Sequence, residues 1–282
     1  MGQPDPAPQA LDSIAIAVDG RAFRIEYEWV GVPRSTAPVV VFLHEGLGSL
    51  AMWKSFPRDF CAAHGLCGFV FSRYGYGRSP LRPAGERWRP DYMHAEANQF
   101  LPALLAAACI EQPWLFGHSD GGSIALLHAA NHPVAGVVAV APHLFVEPIS
   151  VASIEQARAA WDAGTLRKRL TPYHEDVAST FIGWNDIWLA PEFRDWNIEA
   201  EIAAITCPLL AVQGQDDEYG TLEQIHAIAR RLPRTRLLEV PNCGHSPHRD
   251  RPEILSREAG RFILGHRAST GSATRNSTRQ EG

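Results

Sequence analysis

Apolar and polar residues alternate in "SIAIAVDGRAFRIEYEWVG" on both sides of Asp19-Gly20, a pattern that predicts two strands joined by a tight hairpin turn. The next apolar run, "APVVVFLHE", has no polar alternation and reads as a strand buried on both faces. From there the pattern changes period. "SLAMWKSFPRDFCAAHG" carries apolar residues at helical spacing and a glycine stop, and "LCGFVFSRY" is again a strand. "YMHAEANQFLPALLAAACI" predicts a helix in which Pro102 marks a kink or a boundary. The alternation continues through "PWLFGHS", "GGSIALLHAANH" and "VAGVVAVAP". It resumes much later in "CPLLAVQGQDD", "TLEQIHAIARRL", "TRLLEVPNCGH" and "PEILSREAGRFILGH". Strands alternating with helices imply an α/β fold, a mostly parallel, doubly wound sheet covered on both faces.

Residues 143–205 interrupt the alternation. They hold helix-like stretches and the aromatic cluster "TFIGWNDIWLAPEFRDW", and they predict a small helical cap at the carboxyl edge of the sheet, where ligands bind in such folds. The core of the fold is thus expected in two parts, 13–142 and 206–266. A loose Pro- and Ala-rich start (1–12) precedes it, and a polar, aperiodic tail (267–282) follows.

Composition narrows the picture by exclusion. With 45% hydrophobic and 20% charged residues and a net charge of −5, the 282-residue chain has no basic block to footprint nucleic acid or an anionic membrane. The amino-terminal residues have no basic segment followed by an apolar core, and no apolar run approaches the ~20 residues of a membrane span, so a cytoplasmic protein is expected. Five cysteines without a C-x-x-C pair point to buried free thiols. The "GYGRS" loop lacks dinucleotide-binding spacing, no Walker-type loop is present, and no ligand cluster calls for a metal, so neither cofactor nor metal is expected.

Chemistry concentrates in "WLFGHSDGGSIALLHAA". Its "GHSDG" fits Gly-x-Ser-x-Gly, the sharp strand-to-helix turn that presents a serine hydroxyl, here Ser119. A serine needs a base, a carboxylate to orient that base, and N–H donors for the oxyanion. Downstream, "PLLAVQG" ends in "QDDEYG", placing Asp216 and Asp217 at a strand's carboxyl end, and "RLLEVPNCGHSPH" places His245 just after the next strand. His248 is the only rival base.

Together "FLHEGLGS", "YGYGRS", "GHSDGG", "QGQDDEYG" and "NCGHSPH" resemble the α/β-hydrolase superfamily over nearly the whole chain. The resemblance implies a catalytic triad of Ser119, Asp217 and His245, because the acid usually stands three residues after a glycine, here Gly214, with Asp216 the alternative. It implies an oxyanion hole from the N–H of Asp120, at the start of a helix, and of Gly46, with Leu47 or Glu45 as alternatives. Two features depart from the family pattern. Glu45 stands where glycine is common, with its side chain either turned away or meeting a polar or cationic group of the substrate. Ser72 and Tyr74 replace an Asp and an Arg ahead of the first glycine, so any ion pair there is lost or rewired.

His118 is expected on the far side of the turn, His44 as a holder of its loop, and His128, His132 and His143 at the surface or in the core. Leu47, Trp53, Trp184 and Trp188 are the candidates for the substrate pocket; the tryptophans could equally glue the cap to the core. The implied function is a serine hydrolase of carboxylic esters, lactones or thioesters, acting on a small molecule as a monomer or homodimer. Carbon–carbon bond hydrolysis is the alternative within the family, and a ligand-binding receptor is the alternative outside enzymes.

Overall fold

Asp19 and Gly20, both at positive φ, close the predicted hairpin between β1 (Asp12–Val18) and β2 (Arg21–Gly31). A computed structural model describes residues 12–273 except Ala84. Of the loose start expected over 1–12, residues 1–11 lie outside the described ones, and Asp12 already pairs with Tyr27 across the hairpin.

The remaining elements follow in chain order: β3 (Val39–Leu43), α1 (Phe56–His64), β4 (Cys67–Phe71), α2 (Tyr92–Ala95), α3 (Leu101–Ala107), β5 (Trp114–His118), α4 (Asp120–Asn131) and β6 (Gly136–Val140). After them come α5 (Pro148–Asp162), α6 (Thr165–Leu170), α7 (Val177–Leu189), β7 (Leu209–Gly214), α8 (Glu223–Arg231), β8 (Arg236–Val240), α9 (Pro247–Asp250) and α10 (Pro252–Ala273). The eight strands form one sheet in the order β1-β2-β4-β3-β5-β6-β7-β8, with β2 antiparallel to both its neighbours and the others parallel.

Alternate residues of the buried strands feed two cores. Val41 and Leu43 join Leu104, Ile124 and Ile225, the side covered by α3, α4 and α8. Val40 and Phe42 join Phe56, Phe60, Leu255 and Phe262, the side covered by α1 and α10. Burial of both faces explains why these strands read as continuous apolar runs.

Three local departures from the sequence expectation have identifiable causes. The helix expected over "SLAMWKSFPRDFCAAHG" is split: a 3₁₀ turn at Leu50–Trp53 ends where Lys54 takes φ 56°, and α1 starts afresh with Pro57 in its first turn. The helix around Pro102 widens into a π turn at Glu96–Phe100, where the Leu101 N–H donates to Glu96 O. Pro102 has no N–H for the carbonyl of Ala97, and His128 Nδ1 takes that oxygen instead at 2.7 Å. Burial lowers this imidazole to about 4, so it is neutral. Thirdly, α10 passes through Gly265 and runs to Ala273, so residues 267–273 are helical rather than part of a tail; residues 274–282 lie outside the described ones. Gly265 is not among the residues at positive φ, and so does not end the helix.

All five cysteines are free; Cys61, Cys67 and Cys243 are buried as expected, whereas Cys109 is exposed and Cys207 half-buried. No described helix is long and apolar enough to cross a membrane.

Candidate active site

Ser119 occupies the one-residue junction between β5 and α4 with φ 55° and ψ −122°, a conformation that L-residues avoid. The turn is possible because the helix start lies almost on the sheet. A Cβ on Gly121 would fall 2.1 Å from Leu43 O, and one on Gly117 would fall 2.1 Å from Gly121 O. The two glycines flanking Ser119 are therefore required by close backbone approach.

His245 follows β8, and Asp217 follows β7, both at carboxyl ends of the parallel sheet. The three side chains form one hydrogen-bonded line. Ser119 Oγ lies 2.9 Å from His245 Nε2, and His245 Nδ1 lies 2.9 and 3.0 Å from the two Asp217 oxygens. An ionised carboxylate only accepts, so Nδ1 carries the proton and Nε2 is left to accept from the serine hydroxyl. Asp217 also accepts from Gln213 Nε2 at 2.7 Å and from the Tyr219 N–H at 2.8 Å. Burial opposes its charge, but His245 and the Tyr219 N–H outweigh that and hold the carboxyl below its usual range. Burial likewise opposes a charged His245, yet the facing Asp217 raises its pKa. Asp216 is exposed and stands aside from this line.

The His245 loop is anchored from behind. His118 points away from Ser119, as expected, and its Nε2–H donates to His245 O at 2.7 Å. His118 Nδ1 stands 3.6 Å from Glu45 Oε2, and Arg249 of α9 donates to Glu45 Oε1 at 3.3 Å. Burial would raise Glu45, but His118, His248 and Arg249 around it hold it well below its ordinary range. Its carboxylate thus faces this chain's own imidazole and guanidinium, which accounts for an acid in a loop where glycine is common.

The same loop brings Gly46 beside the helical segment: a Cβ there would fall 2.1 Å from Trp184 Nε1, so the indole lies on the Gly46 Cα. Among the described residues, neither the Gly46 nor the Asp120 N–H donates to any group. Leu47 is half-buried, and its carbonyl accepts from His174 Nε2 at 2.9 Å. Trp188 is 2% exposed and donates its indole N–H to Tyr92 OH at 3.1 Å.

Trp53 sits elsewhere than expected. It is 2% exposed in the core on the α1 side, packed against Phe42, Phe116, His118 and His248. The 3₁₀ turn that carries it directs the ring beneath the elbow, so it buttresses His118 rather than lining a pocket with Trp184. His248 is buried against that ring and makes no contact with Ser119; it is not the base in this geometry.

Glu218, Tyr92 and Arg73, which sequence reasoning passed over, also belong to the site's surroundings, as does His143, expected at the surface or in the core. His143 is buried, donates from Nε2 to Tyr219 O at 3.1 Å and lies 5.9 Å from His245, ring to ring. Glu218 accepts the His245 N–H at 3.1 Å. Tyr92 donates to Asp120 Oδ2 at 2.7 Å, and Arg73, 1% exposed, stands 3.7 Å from the same oxygen. The rewired ion pair is thus Arg73–Asp120, one position away from where the family carries its arginine. Ser72, in place of the family's aspartate, donates to Glu26 at 2.6 Å. Among the described residues no cluster of His, Cys, Asp and Glu could hold a metal ion.

Comparison with known proteins agrees with this architecture. The chain is 27% identical over 189 residues (57% of this chain, 70% of the relative) to 2-succinyl-6-hydroxy-2,4-cyclohexadiene-1-carboxylate synthase of Enterobacter sp.. It is 24% identical over 259 residues (81% and 82%) to the sn-1-specific diacylglycerol lipase ABHD11 of Mus musculus. Among solved structures, a meta-cleavage product hydrolase of Pseudomonas fluorescens superposes with a TM-score of 0.70 at 16% identity, over 89% of this chain and 97% of that one. The family model described as "Alpha/beta hydrolase family" matches residues 40–258, from the strand before the Glu45 loop to a point past the histidine. With the elbow, the strand order and that match in agreement, the chain belongs to the alpha/beta hydrolase family.

Proposed function

We propose that this hydrolase cleaves small or medium carboxylic esters, or related lactones and thioesters, through an acyl-enzyme on Ser119. The observation that carries the reading is the continuous line from Ser119 Oγ through His245 to Asp217. His245 Nε2 takes the hydroxyl proton as Ser119 attacks the carbonyl carbon, then gives it to the departing alkoxide as the C–O bond breaks. Water, deprotonated by the same nitrogen, attacks the acyl-enzyme and releases the acid. Asp217 keeps the imidazole in its Nδ1–H form and stabilises it when charged. The Gly46 and Asp120 N–H groups face the oxyanion, helped by the positive end of α4. The helical segment 143–205 acts as a cap, with Trp184 and Leu47 closing the acyl side. The lipase among the relatives, an enzyme of ester substrates by name, supports the ester reading.

Hydrolysis of p-nitrophenyl esters of increasing acyl length tests it, alongside Ser119→Ala and His245→Ala. Turnover that is lost in both variants, by about 10⁴-fold or more, is the expected result. Covalent labelling of Ser119 by a phosphonate without ester turnover would redirect the reading to carbon–carbon bond hydrolysis. Neither labelling nor turnover would leave a binding protein.

A further inference from the structure

The candidate oxyanion donors belong to loops far apart in sequence, and one buried guanidinium touches both. Arg73 Nη2 donates to Glu45 O at 3.0 Å and lies 3.7 Å from Asp120 Oδ2. Its plane is held 4.4 Å over the Tyr76 ring. Glu45 O belongs to the same peptide unit as the Gly46 N–H. In a trans peptide, the C=O and N–H point in opposite directions in one plane, so whatever fixes the oxygen fixes the hydrogen.

That oxygen is held by three donors. The Gly48 N–H reaches it at 3.0 Å, Arg73 Nη2 at 3.0 Å and His44 Nδ1 at 2.8 Å. The tautomer of His44 is determined, because the Arg73 backbone N–H donates to His44 Nε2 at 3.0 Å. Nε2 therefore accepts, and Nδ1 carries the hydrogen. Arg73 thus acts on the peptide twice: directly through its guanidinium, and through its own N–H by fixing the imidazole that supplies another bond.

We propose that Arg73 is the positioning residue of the oxyanion hole, locking the Glu45–Gly46 peptide with its N–H toward Ser119 and tying that peptide to Asp120. The inference rests on Ser119 being the nucleophile. Arg73 does not touch substrate; it acts through the two peptides.

The experiment compares wild type with Arg73→Met and Arg73→Lys, measuring kcat and KM for p-nitrophenyl butyrate and the affinity for a trifluoromethyl ketone of the same chain length. The ketone adds to the serine to form a tetrahedral oxyanion, so its affinity reads the hole itself. The expected result for Arg73→Met is a kcat lower by roughly 10²-fold, the scale of one lost oxyanion donor, with KM changed less than about twofold. Ketone affinity should fall in parallel with kcat. A merely structural role predicts a lower melting temperature with kcat and ketone affinity unchanged, and that result overturns the proposal. If Arg73→Met does not fold, Arg73→Lys carries the test, since it keeps the buried charge but loses the forked donor. An intermediate, parallel loss in kcat and ketone affinity supports positioning; wild-type values in both overturn it. Wild type that neither turns over the ester nor binds the ketone sinks the nucleophile reading and this inference with it, a result distinguishable from failure in the variants alone.

Discussion

Asp217 presents both carboxylate oxygens to His245 Nδ1, at 2.9 and 3.0 Å, while the adjacent Asp216 is exposed. The adjacent acids are therefore separable by experiment. Asp217→Asn should lower kcat by about 10³- to 10⁴-fold, because an amide can donate to Nδ1 and favours the wrong imidazole tautomer. Asp216→Asn should stay within about twofold of wild type, as expected for an exposed substitution that removes no buried contact. Steady-state kinetics of the two variants decide; equal losses would reassign the acid.

The raised pKa of His245 has opposite consequences for activity and stability. Activity needs the neutral imidazole, so the acid limb of the kcat/KM profile should have its midpoint above the ordinary value of about 6.5 and move down in Asp217→Asn. Stability follows the charged form. The pairing contributes fully below about 6.5 and is lost as pH rises through the higher folded value. Denaturant melts should therefore show Asp217→Asn losing more stability relative to wild type at the acid end of that window than above it. A profile midpoint below the ordinary value would contradict the geometry.

Ser119 holds a backbone that glycine would adopt with less strain. Ser119→Gly should be inactive yet more stable than Ser119→Ala, by about 1 kcal/mol, since relief of the turn exceeds the added flexibility of the unfolded chain. Paired thermal melts of the two inactive proteins give the difference directly. Equal melting temperatures would show that the elbow stores no such strain.

Gly121→Ala is expected to cost about 3 kcal/mol or more, because its new methyl would meet Leu43 O, an oxygen fixed in the sheet. Gly265→Ala, where no atom lies within 4 Å of the added carbon, should be neutral or stabilising on an exposed helix face. Urea denaturation of both variants checks the contrast.

The alternation of strand and helix was legible because hydrophobic period reports burial directly, and the parallel sheet follows from it. Ser119 and His245 were legible because each stands where a strand ends, a position the chain's own pattern marks. Asp217 was favoured by its spacing from Gly214, yet Asp216 shares its strand end, and it is the backbone after β7 that turns Asp217 inward and leaves Asp216 exposed. Arg73, Tyr92 and Glu218 gave no sequence signal, because their partners lie in loops joined only by folding. Trp53 was misplaced for a related reason. Its apolar spacing fits a helix, but it lies in a separate 3₁₀ turn that ends at Lys54, and its ring packs into the core on the α1 side. The π turn before Pro102 was hinted at by the proline, while its repair by His128 required the tertiary structure.

Glu45 uses its two ends on different partners. Its backbone carbonyl is gripped by His44, Arg73 and Gly48, and its side chain reaches across to His118 and Arg249. The segments that carry His118 beside Ser119, Arg249 near His245, and Gly46 are thereby cross-braced at a residue outside the Ser119–His245–Asp217 line. A drift of any one loop pulls on the others, so the floor of the site is a single mechanical unit.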